Sequence, residues 1–173
     1  MSEMNEKVSE RQKKYIFVVG EKCVAQYGGY ESFIDKLTKQ YQYNSDIQYH
    51  IITKANGDGH MDESKLNGIT PIDGYTFIYH GARIVKLQVP QIGPVQATAY
   101  DIKTMIYCLK YCEENSIASP IFYILTCRIG SFFGRLVKRS HDLGGNVFVN
   151  PDGDGQIIAT KNKSLEKLIG VAA

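Results

Sequence analysis

The sequence predicts an α/β fold with a mostly parallel sheet and helices on both of its faces. Short continuous apolar runs recur along the chain, and amphipathic stretches at helical spacing lie between them. That alternation requires crossover connections, which lay helices over a parallel sheet. At 173 residues, with 43% hydrophobic and 22% charged residues, the chain is one domain by length and can bury a proper core.

Each element follows from local pattern. Tyr15 to Val19 is an apolar run ending at Gly20, as expected of a strand buried on both faces. From Gly29 to about Gln42, Phe33, Leu37 and Tyr41 recur at four-residue spacing with Ile34 beside them, a helix with one core-facing stripe. Ile47 to Thr53 reads as a second strand. Lys54 to Gly74 is rich in Gly, Asp, Asn and Ser without periodicity, and is expected to be a mobile surface loop. Tyr75 to Tyr79 and Ala82 to Val89 flank His80-Gly81 as two short strands joined by a turn. Pro90 and Pro94 stop the second of these. A helix from Val95 to Glu114 follows, offering Tyr100, Met105, Ile106, Leu109 and Cys112 for burial. Pro120 introduces a buried strand, Ile121 to Leu125. Ile129 to Leu143 is helical, Gly144-Gly145 ends it, and Asn146 to Val149 forms a further strand. Asn150 to Gly155 is a loop, and Ser164 to Ile169 a short closing helix.

Composition narrows the function. Residues 1–13 are polar and read as a disordered arm, leaving 14–173 as the folded domain. No signal peptide is recognisable, and apolar runs such as Pro120 to Cys127 are too short to span a bilayer, which points to a cytoplasmic protein. The net charge of +2 gives no reason to expect a nucleic-acid partner. The four cysteines form no metal-ligand pattern, and Cys108 and Cys112 sit four apart on a helix, a poor disulfide geometry. Reduced thiols and no bound metal are expected.

In such sheets ligands bind outside the carboxyl ends of the strands. The segments leaving those ends, Gly20 to Glu31, Thr126 to Ser131 and Asn150 to Gly155, are expected to converge on one crevice. Gly28-Gly29 opens the first helix, where free N–H groups and the positive helix end favour an anion or a sugar hydroxyl. A loop that needs positive φ explains the pair equally well. The pattern is not G-x-G-x-x-G, so no dinucleotide fingerprint is present. Glu31 in the first turn suits the macrodipole, and Tyr27 and Tyr30 offer rim aromatics for a sugar. Arg128 is placed to reach an anionic group, beside Cys127, read as a small buried thiol. Asn150-Pro151-Asp152-Gly153 has the residues of a tight turn, and its functional reading makes Asp152 a general base or hydroxyl-binding carboxylate. Arg135, Lys138 and Arg139 give the later helix a basic face, either simply solvated or docked on an anionic membrane.

The stretches YIFVVG…AQYGGYESFIDKL, PQIGPVQATAYDI, PIFYIL and GGNVFVNPDG, taken in order, resemble the N-terminal domain of family-4-like GT-B glycosyltransferases, nearest the bacterial rhamnosyltransferases of capsular and cell-surface polysaccharide synthesis. The likeness runs from Lys14 to about Gly153. It implies a Rossmann-like three-layer sandwich, one half of a GT-B fold, with the glycine pair lining the interdomain cleft. It also implies transfer of a sugar, rhamnose from a dTDP-activated donor, to a lipid-linked saccharide at the inner membrane face, with no metal and no cofactor. By carry-over, Tyr27, Gly28, Gly29 and Glu31 match the first cleft loop, and Asn150, Pro151, Asp152 and Gly153 the later one. Two departures stand out. Glu21-Lys22-Cys23 replaces the family's serine-arginine-glycine run, and Asp154 to Ala173 replaces the aromatic, basic segment that leads to a donor-binding domain.

The first expectation is therefore an acceptor-side domain, inactive alone. The rival is a non-catalytic saccharide-binding or assembly module that works with a donor-domain partner or as a homodimer. A third reading is an ordinary nucleotide-binding domain, against which the missing phosphate fingerprint counts.

Overall fold

The computed structural model describes residues 13–150 apart from Tyr27 and Cys127. Residues 1–12 of the arm, both of those residues, Pro151, Asp152, Gly153 and the expected closing helix lie outside the described residues.

The strands are β1 (Lys14–Val19), β2 (Ile47–Lys54), β3 (Thr70–Pro71), β4 (Thr76–Tyr79), β5 (Ala82–Leu87), β6 (Ile121–Ile124) and β7 (Asn146–Val149). The helices are α1 (Gly29–Tyr41), α2 (Gln96–Glu114) and α3 (Phe133–Asp142), the last entered through a 3₁₀ turn at Gly130–Phe132. The seven-stranded sheet has the order β3-β4-β5-β2-β1-β6-β7. β5, β2, β1, β6 and β7 run parallel, while β4 pairs antiparallel with β3 and β5. The molecule is thus the expected α/β, Rossmann-like sandwich.

Alternation along β1 divides the core. Phe17 and Val19 point into one layer, packing with Met105, Cys108, Leu109 and Cys112 of α2, Phe122 and Ile124 of β6, and Leu136 of α3. Val18 points into the other, with Ile34 of α1, Ile51, Phe77, Ile84 and Leu125. Helices on both faces cover both sides of the central strands, so these strands read as unbroken apolar runs.

Several local expectations change. The 54–74 segment is not merely a surface loop: Met61 and Leu66 are buried against the α1 side of the sheet, flanking a 3₁₀ turn at Glu63–Lys65, and Thr70–Pro71 is an edge strand. The Asp62 side chain caps that turn by accepting from Ser64 N. On α1 the buried positions are Ile34 and Thr38, whereas Phe33 is 44% exposed and sits edge-on to Tyr123. On α2, Ile106 faces outward, and Asp101 and Thr104 take buried positions instead. Cys23, Cys108 and Cys112 are buried free thiols, and burial pushes Cys112 up to about 12.

Candidate functional site

β1 is the strand from which the chain departs to β2 on one side, while β6 flanks it on the other, so the sheet's topological switch point lies at the carboxyl ends of β1 and β6. The three chain exits lie edge to edge there. Leu125 N donates to Val19 O (2.9 Å), and Asn150 N donates to Ile124 O (2.8 Å). Gly20 has φ +95°, and a Cβ there would stand 3.0 Å from Thr126 Oγ1, so both conformation and space require glycine. The expected convergence thus extends through Asn150, the last described residue.

Beside these exits stands Asp101, in the first turns of α2, with a fully buried side chain. Its Oδ2 accepts from Thr126 Oγ1 (2.8 Å) and Arg128 Nε (2.9 Å), and its Oδ1 from Arg128 Nη2 (3.4 Å). Burial raises the Asp101 pKa, and the facing guanidinium opposes that shift. The Arg128 side chain is 39% exposed, so this anchor orients a partly solvated cation beside the strand ends. Beside Asp101, the buried Tyr100 donates its hydroxyl to Glu21 O (2.8 Å), tying α2 to the β1 exit.

Two lysines complete a cationic rim. Lys54 Nζ lies 5.9 Å above the Tyr100 ring and donates to Asp58 O. Its pKa is lowered, first by burial and next by Lys22, with Arg128 acting in the same direction. Asp58 and Asp101 oppose that shift, so Lys22, Lys54 and Arg128 share this strand end with two acids.

Glu21 is 1% exposed; its Oε1 accepts from Lys22 N (2.8 Å), and its Oε2 has no partner among the described residues. Burial raises it to about 7, and Glu31 pushes the same way. At the paired glycines, Gly28 is extended, at φ 165°, so conformation does not demand glycine. Space does not demand it either: a Cβ at Gly28 would meet only the Glu31 carboxylate, the movable end of a flexible side chain that folds back over the start of α1. Gly29 faces open space.

Of the sequence-proposed residues, Gly28, Gly29 and Glu31 sit together at the start of α1, Arg128 is anchored on Asp101, and Asn150 ends the row of strand exits. Tyr27, Asp152 and Gly153 lie outside the described residues. The α3 basic face is largely paired: Lys138 donates to Asp142 (2.9 Å), and Arg139 donates through Nε and Nη2 to the Glu113 carboxylate on α2. Asp101, Thr126, Lys22 and Lys54 were not foreseen as site residues. Asp101 had a signal, since it shares a helical stripe with Thr104, Met105, Cys108 and Cys112, and an acid on a buried stripe must find a partner.

Among the described residues no cluster of His, Cys, Asp and Glu could hold a metal, and no helix is long and apolar enough to cross a membrane. No curated protein and no solved structure matches this chain. Residues 13–169 match the family described as a domain of unknown function, DUF1972. That match spans the β1 exit, the glycine pair, Asp101, Arg128 and Asn150, and the chain belongs to the DUF1972 family.

Proposed function

We propose that this chain is the acceptor-side domain of a glycosyltransferase acting in cell-surface polysaccharide synthesis. In this reading the crevice at the switch point holds a phosphate-bearing substrate, and a donor-binding domain closes over it. The observation that carries the reading is the Arg128 guanidinium, locked by buried Asp101 and flanked by Lys22 and Lys54 at the carboxyl ends of the parallel strands. Membership of a domain family associated with glycosyltransferases supports it. The finer assignment is rhamnose transfer from a dTDP-activated donor to a lipid-linked saccharide, whose pyrophosphate suits this cationic rim. Asp152 is the proposed base; Gly28, Gly29 and Glu31 shape the wall. Donor and acceptor must be held in one reactive pose, so an acceptor-side domain acts together with donor-side groups.

The test is calorimetric titration with inorganic pyrophosphate, paired with a transfer assay using dTDP-rhamnose. Pyrophosphate is expected to bind, and Arg128→Ala to weaken it by about tenfold or more, the loss of a charge-assisted hydrogen bond. Absence of binding overturns the anionic crevice. Rhamnosyl transfer by the chain alone overturns its need for a donor-side domain. The buried, inward-turned Glu21 and Cys23 in the first crevice loop favour a second reading, a non-catalytic saccharide-binding or assembly module. It predicts binding without turnover even when a donor-domain partner is supplied.

A further inference from the structure

At the opposite end of the sheet, the amino ends of β1 and β2 border a recess of about 230 Å³. β1 is 6 residues long, so this recess lies about 20 Å from the crevice at roughly 3.3 Å per residue. Its walls are Lys13, Tyr41, Tyr43, Gln48, Tyr49 and His80. The His80-Gly81 turn joining β4 to β5 closes one side, both residues having positive φ. A Cβ at Gly81 would lie 2.8 Å from Gln42 O, so the turn is seated directly against the end of α1.

The walls offer hydrogen bonds in both senses, with Lys13, Asn44, Ser45 and the tyrosine hydroxyls among the donors. Gln48 Nε2 donates to Tyr49 O (3.2 Å) and Gly81 O (3.0 Å), which leaves its amide oxygen as the group available to a ligand. The end of α1 contributes the negative pole of a helix, and Lys13 an opposing positive charge. The His80 imidazole is stacked on Tyr79 with centroids 3.9 Å apart, and its Nδ1 stands 3.6 Å from Asp35 Oδ1 without a hydrogen bond. Tyr43 is 92% exposed, and Tyr41 and Tyr49 form a ring pair 6.3 Å apart. A ligand that matches these walls both donates and accepts hydrogen bonds and presents C–H faces to aromatic rings.

We propose that this recess is a second binding site, for a hydroxyl-rich saccharide that stacks on tyrosine, separate from the crevice at the strand ends. Its occupant stacks on Tyr43 and donates hydroxyls to Gln48 Oε1 and the end of α1. The site requires no transfer chemistry, so it stands or falls independently of the crevice's function.

Backbone-amide NMR of the whole chain tests it, with maltotetraose, a neutral rhamnose tetrasaccharide and inorganic pyrophosphate as probes. At least one saccharide is expected to shift the amides of Tyr43, Asn44, Gln48 and Gly81. Tyr43→Ala, at a fully solvated side chain, should weaken that binding about tenfold, the scale of a lost aromatic platform. Arg128→Ala should leave it unchanged while weakening pyrophosphate at the crevice. The proposal is overturned if neither saccharide moves these amides, if pyrophosphate moves them instead, or if Tyr43→Ala binds as tightly as wild type. Loss of pyrophosphate binding with saccharide binding intact would instead condemn the crevice reading alone.

Discussion

Asp101 shows how one residue can carry both the stability and the shape of a site. Its carboxylate has no solvent access, and each of its hydrogen bonds comes from the Thr126–Arg128 segment at the β6 exit. Removing one member of a buried ion pair leaves the other uncompensated, at a cost of several kcal/mol. Because Arg128 keeps partial solvent contact, Asp101→Ala should fall at the low end, about 3 kcal/mol, read as a lower urea midpoint at unchanged slope. Arg128→Ala should be milder, since the stranded Asp101 can take up a proton and Thr126 remains its partner. Equal losses from both variants would show that the pair acts as a simple contact rather than as a buried charge with an oriented partner. The acid was readable as an intruder on an apolar helical stripe; its partner was not, because Arg128 lies 27 positions away and on another element.

Among the elements, α3 departs most from its sequence reading. Its basic residues look available for an anionic surface, yet Lys138 is held by Asp142 and Arg139 by Glu113 across the α2–α3 contact. Membrane attraction of about 1 kcal/mol per basic residue then falls mainly to Arg135, beside the exposed Phe132 and Phe133. We therefore expect weak partition onto phosphatidylglycerol vesicles, reduced about fivefold or more by Arg135→Glu, in a co-sedimentation assay. Partition unaffected by that charge reversal would remove α3 from the membrane contact. The Lys54 to Gly74 connection failed for a related reason. Its Gly-rich composition describes a loop, but single apolar residues such as Met61 and Leu66 become core only when a sheet face is there to receive them.

For the whole molecule, two buried titratable groups set opposite pH trends. Glu21 is raised from 4.5 to about 7, so the folded state holds more protons than the unfolded one between those values. Its contribution therefore falls as pH rises through that window, by an upper limit of about 3 kcal/mol. His50, packed at a tilt against Phe17, Tyr15 and Tyr111, is lowered from 6.5 to about 4, first by burial and then by Arg83. Its contribution is lost as pH falls through the interval from 6.5 to 4. Glu21→Gln should accordingly stabilise the protein at pH 8 relative to wild type and make stability rise more steeply with pH from 4.5 to 7. Chemical denaturation across that range checks the sign; an unchanged or flatter profile would contradict the burial of an ionisable Glu21.

Period and punctuation in the chain determined the α/β class, the parallel central strands and the helix positions, because each is a local response to hydrophobic spacing, glycine and proline. They also located Gly28, Gly29 and Arg128 at strand exits, since a strand's end is a local event. Only the tertiary structure decided that β6 lies against β1, that Asp101 meets Thr126 and Arg128 there, and that Lys22 and Lys54 crowd the same rim. Only it gathered the tyrosines at the far end of the sheet. Those relations depend on strand order and on the energetic need of buried charge for a partner, neither of which is encoded in the spacing of neighbouring residues.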